Sequence, residues 1–265
     1  SGIGEPNQLS KHGIGVVVES PGVGQNLMDH LEVYVQQACT EPLSLYKDLS
    51  HWGRIKIGLR WLYNQSGLGA TNHFEAGGFI RSSESQPYPD IQFHFLPAAM
   101  SYDGSSQAQQ HGYQAHVGPM LPQSRGEVTL RSANPLQAPR IAFNYLSEAA
   151  DWQVFREAIR SARHIFSQPA MTSISGAELS PGAHEQTDAQ LDEFIRNHAE
   201  SAYHPCGTCR MGSDASAVVD PAGRVFGVDR LRVIDASIFP HITNGNLNAP
   251  TIMLAEKLAD AIKVG

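Results

Sequence analysis

Basic charge is in short supply in this chain. Lys and Arg number 19 against 26 Asp and Glu, a formal charge of −7, and that balance lacks the basic stripes that neutralise phosphates. Nucleic acid is therefore not an expected partner. Cysteine is scarcer still: Cys39, Cys206 and Cys209 are the full complement. Three thiols are too few for a disulfide framework, so a reducing compartment is the default and secretion is not indicated. No apolar run nears the roughly 18 residues of a membrane-spanning helix; Ile14 to Val18, with Gly15 inside it, is typical. Neither an initiator Met nor a basic, apolar leader stands at Ser1-Gly2-Ile3-Gly4, so the chain is expected to be cut from something longer. A complete G-x-G-x-x-G is missing too. Gly22-Val23-Gly24 opens like one, but Leu27 stands where the third glycine belongs, and the Gly2, Gly13 and Gly67 pairs fail in the same way. These pairs read as turns, and the chain has no recognisable pyrophosphate cradle.

What is present suits a mixed fold. Hydrophobic residues make up 41% of the sequence, enough for a sizeable core, and 24 Gly with 16 Pro give it many turns. Apolar residues alternate with polar ones at Leu31, Val33 and Val35, at Ile91, Phe93 and Phe95, at Tyr113, Ala115 and Val117, and at Val128 and Leu130. Period-two patterning predicts half-buried strands, and strands following one another without a helix predict an antiparallel sheet with one covered face. Trp52, Ile55, Leu59 and Leu62 keep helical spacing despite Gly53 and Gly58. Trp152, Phe155, Ile159, Ala162 and Phe166 form a stronger stripe within 151–168, with Pro169 as a stop. Thr187 and Gln190 read as a capping box opening a helix through His198. A last helix is expected over 251–263, apolar enough for burial on two sides, preceded by a short strand at Leu231 to Ile234. The stretches 82–89, 103–111 and 180–187 read as surface loops.

Two local features invite chemistry. Cys206-x-x-Cys209 has no further ligands at zinc-like spacing, and the Gly207-Thr208 between them with Arg210-Met211-Gly212 after them is unlike the helix start that a redox pair uses. Two inert thiols beside a site are expected, and no metal. His204 sits between Tyr203 and Pro205, with Gly207 just beyond, where the proline ring and a small residue predict a rigid, closely approached backbone. An imidazole whose ordinary pKa lies near 6.5 is suited to general-base work, although a histidine in a loop is commonly structural.

His204-Pro205-Cys206-Gly207-Thr208-Cys209-Arg210-Met211-Gly212, Leu231-Arg232-Val233-Ile234-Asp235-Ala236-Ser237 and Asn246-Leu247-Asn248 with the closing helix resemble the C-terminal half of the glucose, methanol, choline (GMC) oxidoreductases. Ser1-Gly2-Ile3-Gly4 resembles the end of a family signature, and Pro21 through Asn26 to Asp29-His30 its next motif. The segments 32–36, 42–46 and 72–79 are similar to those of the family's choline-oxidising branch, the choline dehydrogenases. The resemblance implies an α+β fold: an antiparallel sheet flanked by helices forming a substrate-binding domain over 31–215. It further implies terminal segments, 1–30 and 216–265, that belong to an FAD-binding α/β domain whose N-terminal half is absent.

It also implies a reaction, in which choline or a similar small alcohol loses its hydroxyl proton while its carbon passes a hydride to N5 of FAD, giving betaine aldehyde. His204 aligns with the catalytic histidine, and Asn248, where many members carry a second histidine, with the residue that hydrogen-bonds the substrate oxygen. Asn248 also has the alternative of an N-terminal helix cap. Glu75 and Tyr203 are the implied substrate-binding residues. A carboxylate among aromatics suits a quaternary ammonium, with Trp61, Tyr63 and Phe79 as candidate rings; a surface or ion-paired Glu75 is the alternative. Asp235, Ala236, Asn248 and Thr251 are the implied cofactor-binding residues, the last through helix-terminal amides facing an anionic reduced flavin. Without its partner half the chain is expected to be inactive, and a flavin-free ligand-binding or assembly module is the reading from another class. The expected location is the cytoplasm, with attachment at the inner face of a membrane left open, and the electron acceptor is not legible.

Overall fold

The computed structural model describes residues 1–74, 76–101 and 110–264. In chain order the elements are β1 (Ile3–Gly4), α1 (Pro6–Lys11), β2 (Val18–Glu19), β3 (Leu31–Cys39), α2 (His51–Asn64), β4 (Ala76–Ile80), β5 (Ile91–Leu96) and β6 (Gly112–Pro119). There follow β7 (Glu127–Thr129), β8 (Arg140–Ala142), α3 (Ala149–Phe166), α4 (Pro169–Thr172), β9 (Ser175–Ser180), α5 (Asp188–His198), β10 (Glu200–Ser201) and α6 (Asn248–Val264). Two compact units emerge. One holds Ser1–His30, Met120–Asp151 and Ser201–Gly265, and the other Leu31–Pro119 and Trp152–Glu200. By compactness, then, 120–151 and 201–215 group with the terminal segments and not with the rest of 31–215.

The second unit is built on the antiparallel sheet that the alternating patterns predict, in the order β10-β3-β6-β5-β4 with β9 also paired to β3. β3 and β6 run antiparallel with Val33 opposite Val117 and Gln36 opposite Gln114, and β5 pairs with both β6 and β4. The expectation of one covered and one solvated face fails for the central strands. Every residue of β6 is buried, and so are Glu32 and Gln36 on β3. The polar face survives burial because its groups satisfy one another, as buried polar groups must. His116 contacts Glu32 at 2.8 Å through Nδ1 and the Gln114 amide at 2.7 Å through Nε2. Gln114 Oε1 in turn accepts from Gln36 at 2.8 Å and from the Met100 N–H at 2.9 Å.

Helices flank that sheet as expected. In α3, Phe155, Ile159 and Ala162 are fully buried and Phe166 nearly so, a stripe at i, i+4, i+7 and i+11. Pro169 stops α3 and takes the first position of α4, where a missing N–H costs nothing. The capping box forms: Thr187 accepts from the Gln190 N–H, and the Gln190 side chain reaches back to Thr187. α2 forms too, capped by Ser50 at Gly53 and closed by Gln65 in the left-handed region. Its apolar stripe is not buried, however: Trp52 is 72% exposed, and Leu59 and Leu62 are also exposed. The 82–89 loop is a loop here, whereas most of 103–111 lies outside the described residues.

The first unit departs from the sequence expectations in three places. Among the described residues the strand near Val128 does not join the large sheet; β7 pairs with β8. Leu231 to Ile234 is extended but is not a strand of a sheet. Its bonds are local, Val225 N–H to Leu231 O, Val233 N–H to Gly223 O and a single bridge between Arg224 and Arg232. β1 and β2 pair in parallel across α1. One buried cluster unites Met28, Cys206, Val219, Ile238, Leu247, Leu254 and Leu258. On α6 the buried face is Leu254 and Leu258, while Ile252 and Met253 stand exposed, so burial on two sides does not hold within this chain.

Candidate active site

His204 is held by the segment just ahead of β3. Met28 and Cys206 exchange both backbone hydrogen bonds as an antiparallel bridge, at 3.0 and 2.9 Å. In that register residue 30 stands opposite residue 204. The pairing then breaks, because Tyr203 adopts a φ of 60°, a sparsely populated region for a bulky residue. The His30 carbonyl accepts from Ala202 at 2.8 Å, and the His204 N–H goes to Asp29 Oδ1 at 2.9 Å. Gly207, at φ 93°, allows this approach, because a Cβ there would lie 2.5 Å from the Asn26 carbonyl oxygen.

Asp29 is the hub of the arrangement. Besides the His204 amide, its carboxylate accepts from the Tyr145 hydroxyl and the Ser201 hydroxyl, both at 2.6 Å on Oδ2. Burial raises the Tyr145 phenol well above its ordinary value, with the Asp29 contact adding to the shift. His30 completes the cage around His204. It is fully buried, its Nε2 lies 3.0 Å from the Met120 carbonyl, and its Nδ1 lies 3.0 Å from His204 Nδ1.

Sequence reasoning named His204 as a candidate but gave Asp29 and His30 no role. The signal was available in the adjacent Asp-His pair closing the Pro21 to His30 motif. What hid it was the separation of about 175 residues between partners.

The other expected site residues fall as follows. Tyr203 is exposed beside His204, its N–H donated to Ser201 Oγ at 2.9 Å. Backbone bonds from Gly207 to Ala236 and from Cys209 to Ser237 lay the His204 segment along the Asp235-Ala236 turn, where Asp235 caps the Ser237 N–H at 2.7 Å. Asn248 is exposed and opens α6, three residues earlier than expected, directly after the buried Leu247. Thr251 donates both its N–H (3.0 Å) and its hydroxyl (2.8 Å) to the Leu247 carbonyl. The helix-terminal amides ahead of that first bond are therefore those of Asn248 and Ala249, since Pro250 has none.

Glu75 lies outside the described residues. Its neighbour Phe74 meets His116 edge-on at 5.2 Å, and Phe79, Trp61 and Tyr63 are exposed on β4 and α2. Burial pushes the Cys206 thiol up to about 12 and raises Cys209 as well, which leaves both protonated at neutral pH and poor nucleophiles.

These features meet a family pattern. The GMC oxidoreductase profile matches residues 122–255, a span that includes His204, Asp235 and Asn248. The chain belongs to the GMC oxidoreductases. The oxygen-dependent choline dehydrogenase of Brucella canis is 58% identical over 99% of this chain, which spans 48% of that relative. Among solved structures, pyridoxine 4-oxidase from Mesorbium loti matches all of the chain at 29% identity and a TM-score of 0.83, over 48% of its own length. A variant formate oxidase of Aspergillus oryzae, described in connection with FAD modification, matches all of it at 28% identity and a TM-score of 0.92, over 51% of its length. The chain thus spans about half the length of the curated relatives it matches. Among the described residues no helix is long and apolar enough to cross a membrane.

Proposed function

We propose that this chain is the substrate-binding half of an FAD-dependent choline dehydrogenase that oxidises choline to betaine aldehyde. The observation that carries the reading is a partly buried imidazole, His204, gripped at its amide by Asp29 and at Nδ1 by His30. The resemblance over 99% of the chain to enzymes named for choline supports the substrate. Residues 31–215 are assigned to substrate binding, and 1–30 with 216–265 to the FAD-binding domain.

The residues present fit FAD. The first turn of α6 offers the amides of Asn248 and Ala249 beside the exposed side chains of Ile252 and Met253. A flat apolar ring with a polar edge that turns anionic on reduction suits such a surface. Asp235, Ala236, Asn248 and Thr251 are the residues assigned to hold it. FAD, when bound, supplies the hydride acceptor.

With Nδ1 engaged by His30, His204 takes the hydroxyl proton at Nε2. Asn248 donates a hydrogen bond to the same alcohol oxygen and steadies its developing charge. The Glu75 carboxylate balances the trimethylammonium, a cation without N–H groups that is held by charge and ring faces. Tyr203 adds a ring and a hydroxyl beside the base.

A GMC enzyme acting on a neutral alcohol is the alternative, and Glu75→Gln separates the two. In the full-length protein the expected result is a KM for choline raised by about 10-fold or more, with neutral alcohols moved less than about 3-fold. Equal effects on both substrates would refute the choline reading. The visible spectrum of the chain expressed alone tests the division of labour. Flavin absorption with choline turnover would sink the assignment of FAD retention to the other half.

A further inference from the structure

Resting on the reading of His204 as proton acceptor, we propose that His30 is a positioning residue that fixes His204 in the tautomer protonated at Nδ1. Nε2 is thereby kept as the nitrogen carrying the lone pair.

The argument runs along one chain of hydrogen bonds. A neutral imidazole has one N–H and one lone pair. The Met120 carbonyl, 3.0 Å from His30 Nε2, can only accept, so the His30 proton sits on Nε2. His30 Nδ1 then carries a lone pair and must accept. Its partner at 3.0 Å is His204 Nδ1, which must donate. A backbone carbonyl thus decides the proton position two rings away. The ring centroids are 5.1 Å apart with planes at 86°, so the rings meet through their nitrogens and are not stacked.

The reverse polarity would need His30 as an imidazolium, and full burial of that ring disfavours the charged form. The arrangement also serves the state after proton transfer. An imidazolium at His204 still donates from Nδ1, so His30 need not move or change protonation. Asp29 and His30, adjacent in sequence, therefore hold His204 by its main chain and its ring respectively.

The test uses the full-length, FAD-loaded protein with nitrogen-15 in its histidine rings. Spectra are recorded above the imidazole titration, and the His204 signals are assigned by their loss in His204→Gln. The wild type should show a pyridine-type Nε2 and a pyrrole-type Nδ1. His30→Leu removes the acceptor. The Nε2-protonated form should then gain population and kcat for choline should fall roughly 10²- to 10⁴-fold, the range seen for loss of a general base or its correct tautomer. KM should move less than about 3-fold. His30→Asn, whose carbonyl oxygen can stand near the place of Nδ1, should restore the wild-type nitrogen pattern and kcat to within about 10-fold.

A wild-type His204 protonated at Nε2, or a Leu variant whose kcat stays within about 2-fold, overturns the proposal. If the Leu variant fails to fold, the wild-type and Asn spectra decide. If the wild type does not oxidise choline yet shows Nδ1 protonation, the functional reading falls while the positioning role stands.

Discussion

Replacing Asp29 by Ala should be among the most damaging single changes near the site, and the structure sets its size. The carboxylate is buried and accepts three hydrogen bonds, from Tyr145, Ser201 and the His204 amide. A hydrogen bond to a charged group contributes about 1.5–3 kcal/mol net. The contributions do not add fully, because Tyr145 is exposed and Ser201 only partly buried, so water can re-satisfy their hydroxyls. The expected loss is about 3–5 kcal/mol for Asp29→Ala.

Asp29→Asn behaves differently. Its oxygen can take the His204 N–H, and its NH2 can donate to the two hydroxyls, which rotate to accept. Only the charge assistance is lost, about 1–2 kcal/mol. Urea unfolding of the full-length protein reads the stability, and hydrogen exchange at the His204 amide reads the local effect. Protection there should vanish in the Ala variant and persist in the Asn variant. An Ala variant within about 1 kcal/mol of wild type, or an Asn variant worse than Ala, would show that Asp29 is not the hub described.

Two further outcomes follow from the same unit. Tyr145 has a phenol raised above the ordinary value near 10, so the unfolded chain releases that proton first. Its contribution to stability is complete below about pH 10 and is lost as pH rises through the folded value; unfolding midpoints above pH 10 should fall more steeply in wild type than in Tyr145→Phe, and equal slopes would refute the shift. Cys206, pushed up to about 12 by burial, should resist iodoacetamide at pH 8 in the native protein and react on denaturation, whereas rapid native labelling traced to Cys206 by peptide mapping would contradict its burial.

Elements whose cause is local were legible in the sequence. Period two wrote β3, β5 and β6, the stripe from Phe155 to Phe166 wrote α3, and Thr187 with Gln190 wrote the start of α5, because each depends on residues within a few positions of one another. The residues flanking His204 mark it as a candidate base only through the family resemblance they carry, since by itself a histidine in a loop is commonly structural. Where the sequence reading missed, a distant partner decided. Glu32, Gln36, Gln114 and His116 look like a solvated face until cross-strand register lets them satisfy one another in the interior. Leu231 to Ile234 has a strand's composition, yet strandhood needs a continuous neighbour, and only isolated bonds are formed. The helical spacing of α2 was sound while the burial of its stripe was not, since periodicity specifies a face and not what covers it. Most of all, nothing local ties Asp29 and His30 to His204. A two-residue bridge between Met28 and Cys206 brings them together, and a carbonyl at Met120 then sets which nitrogen of a distant ring holds the proton. Hydrogen bonds act over about 3 Å, and only the folded chain brings such groups that close.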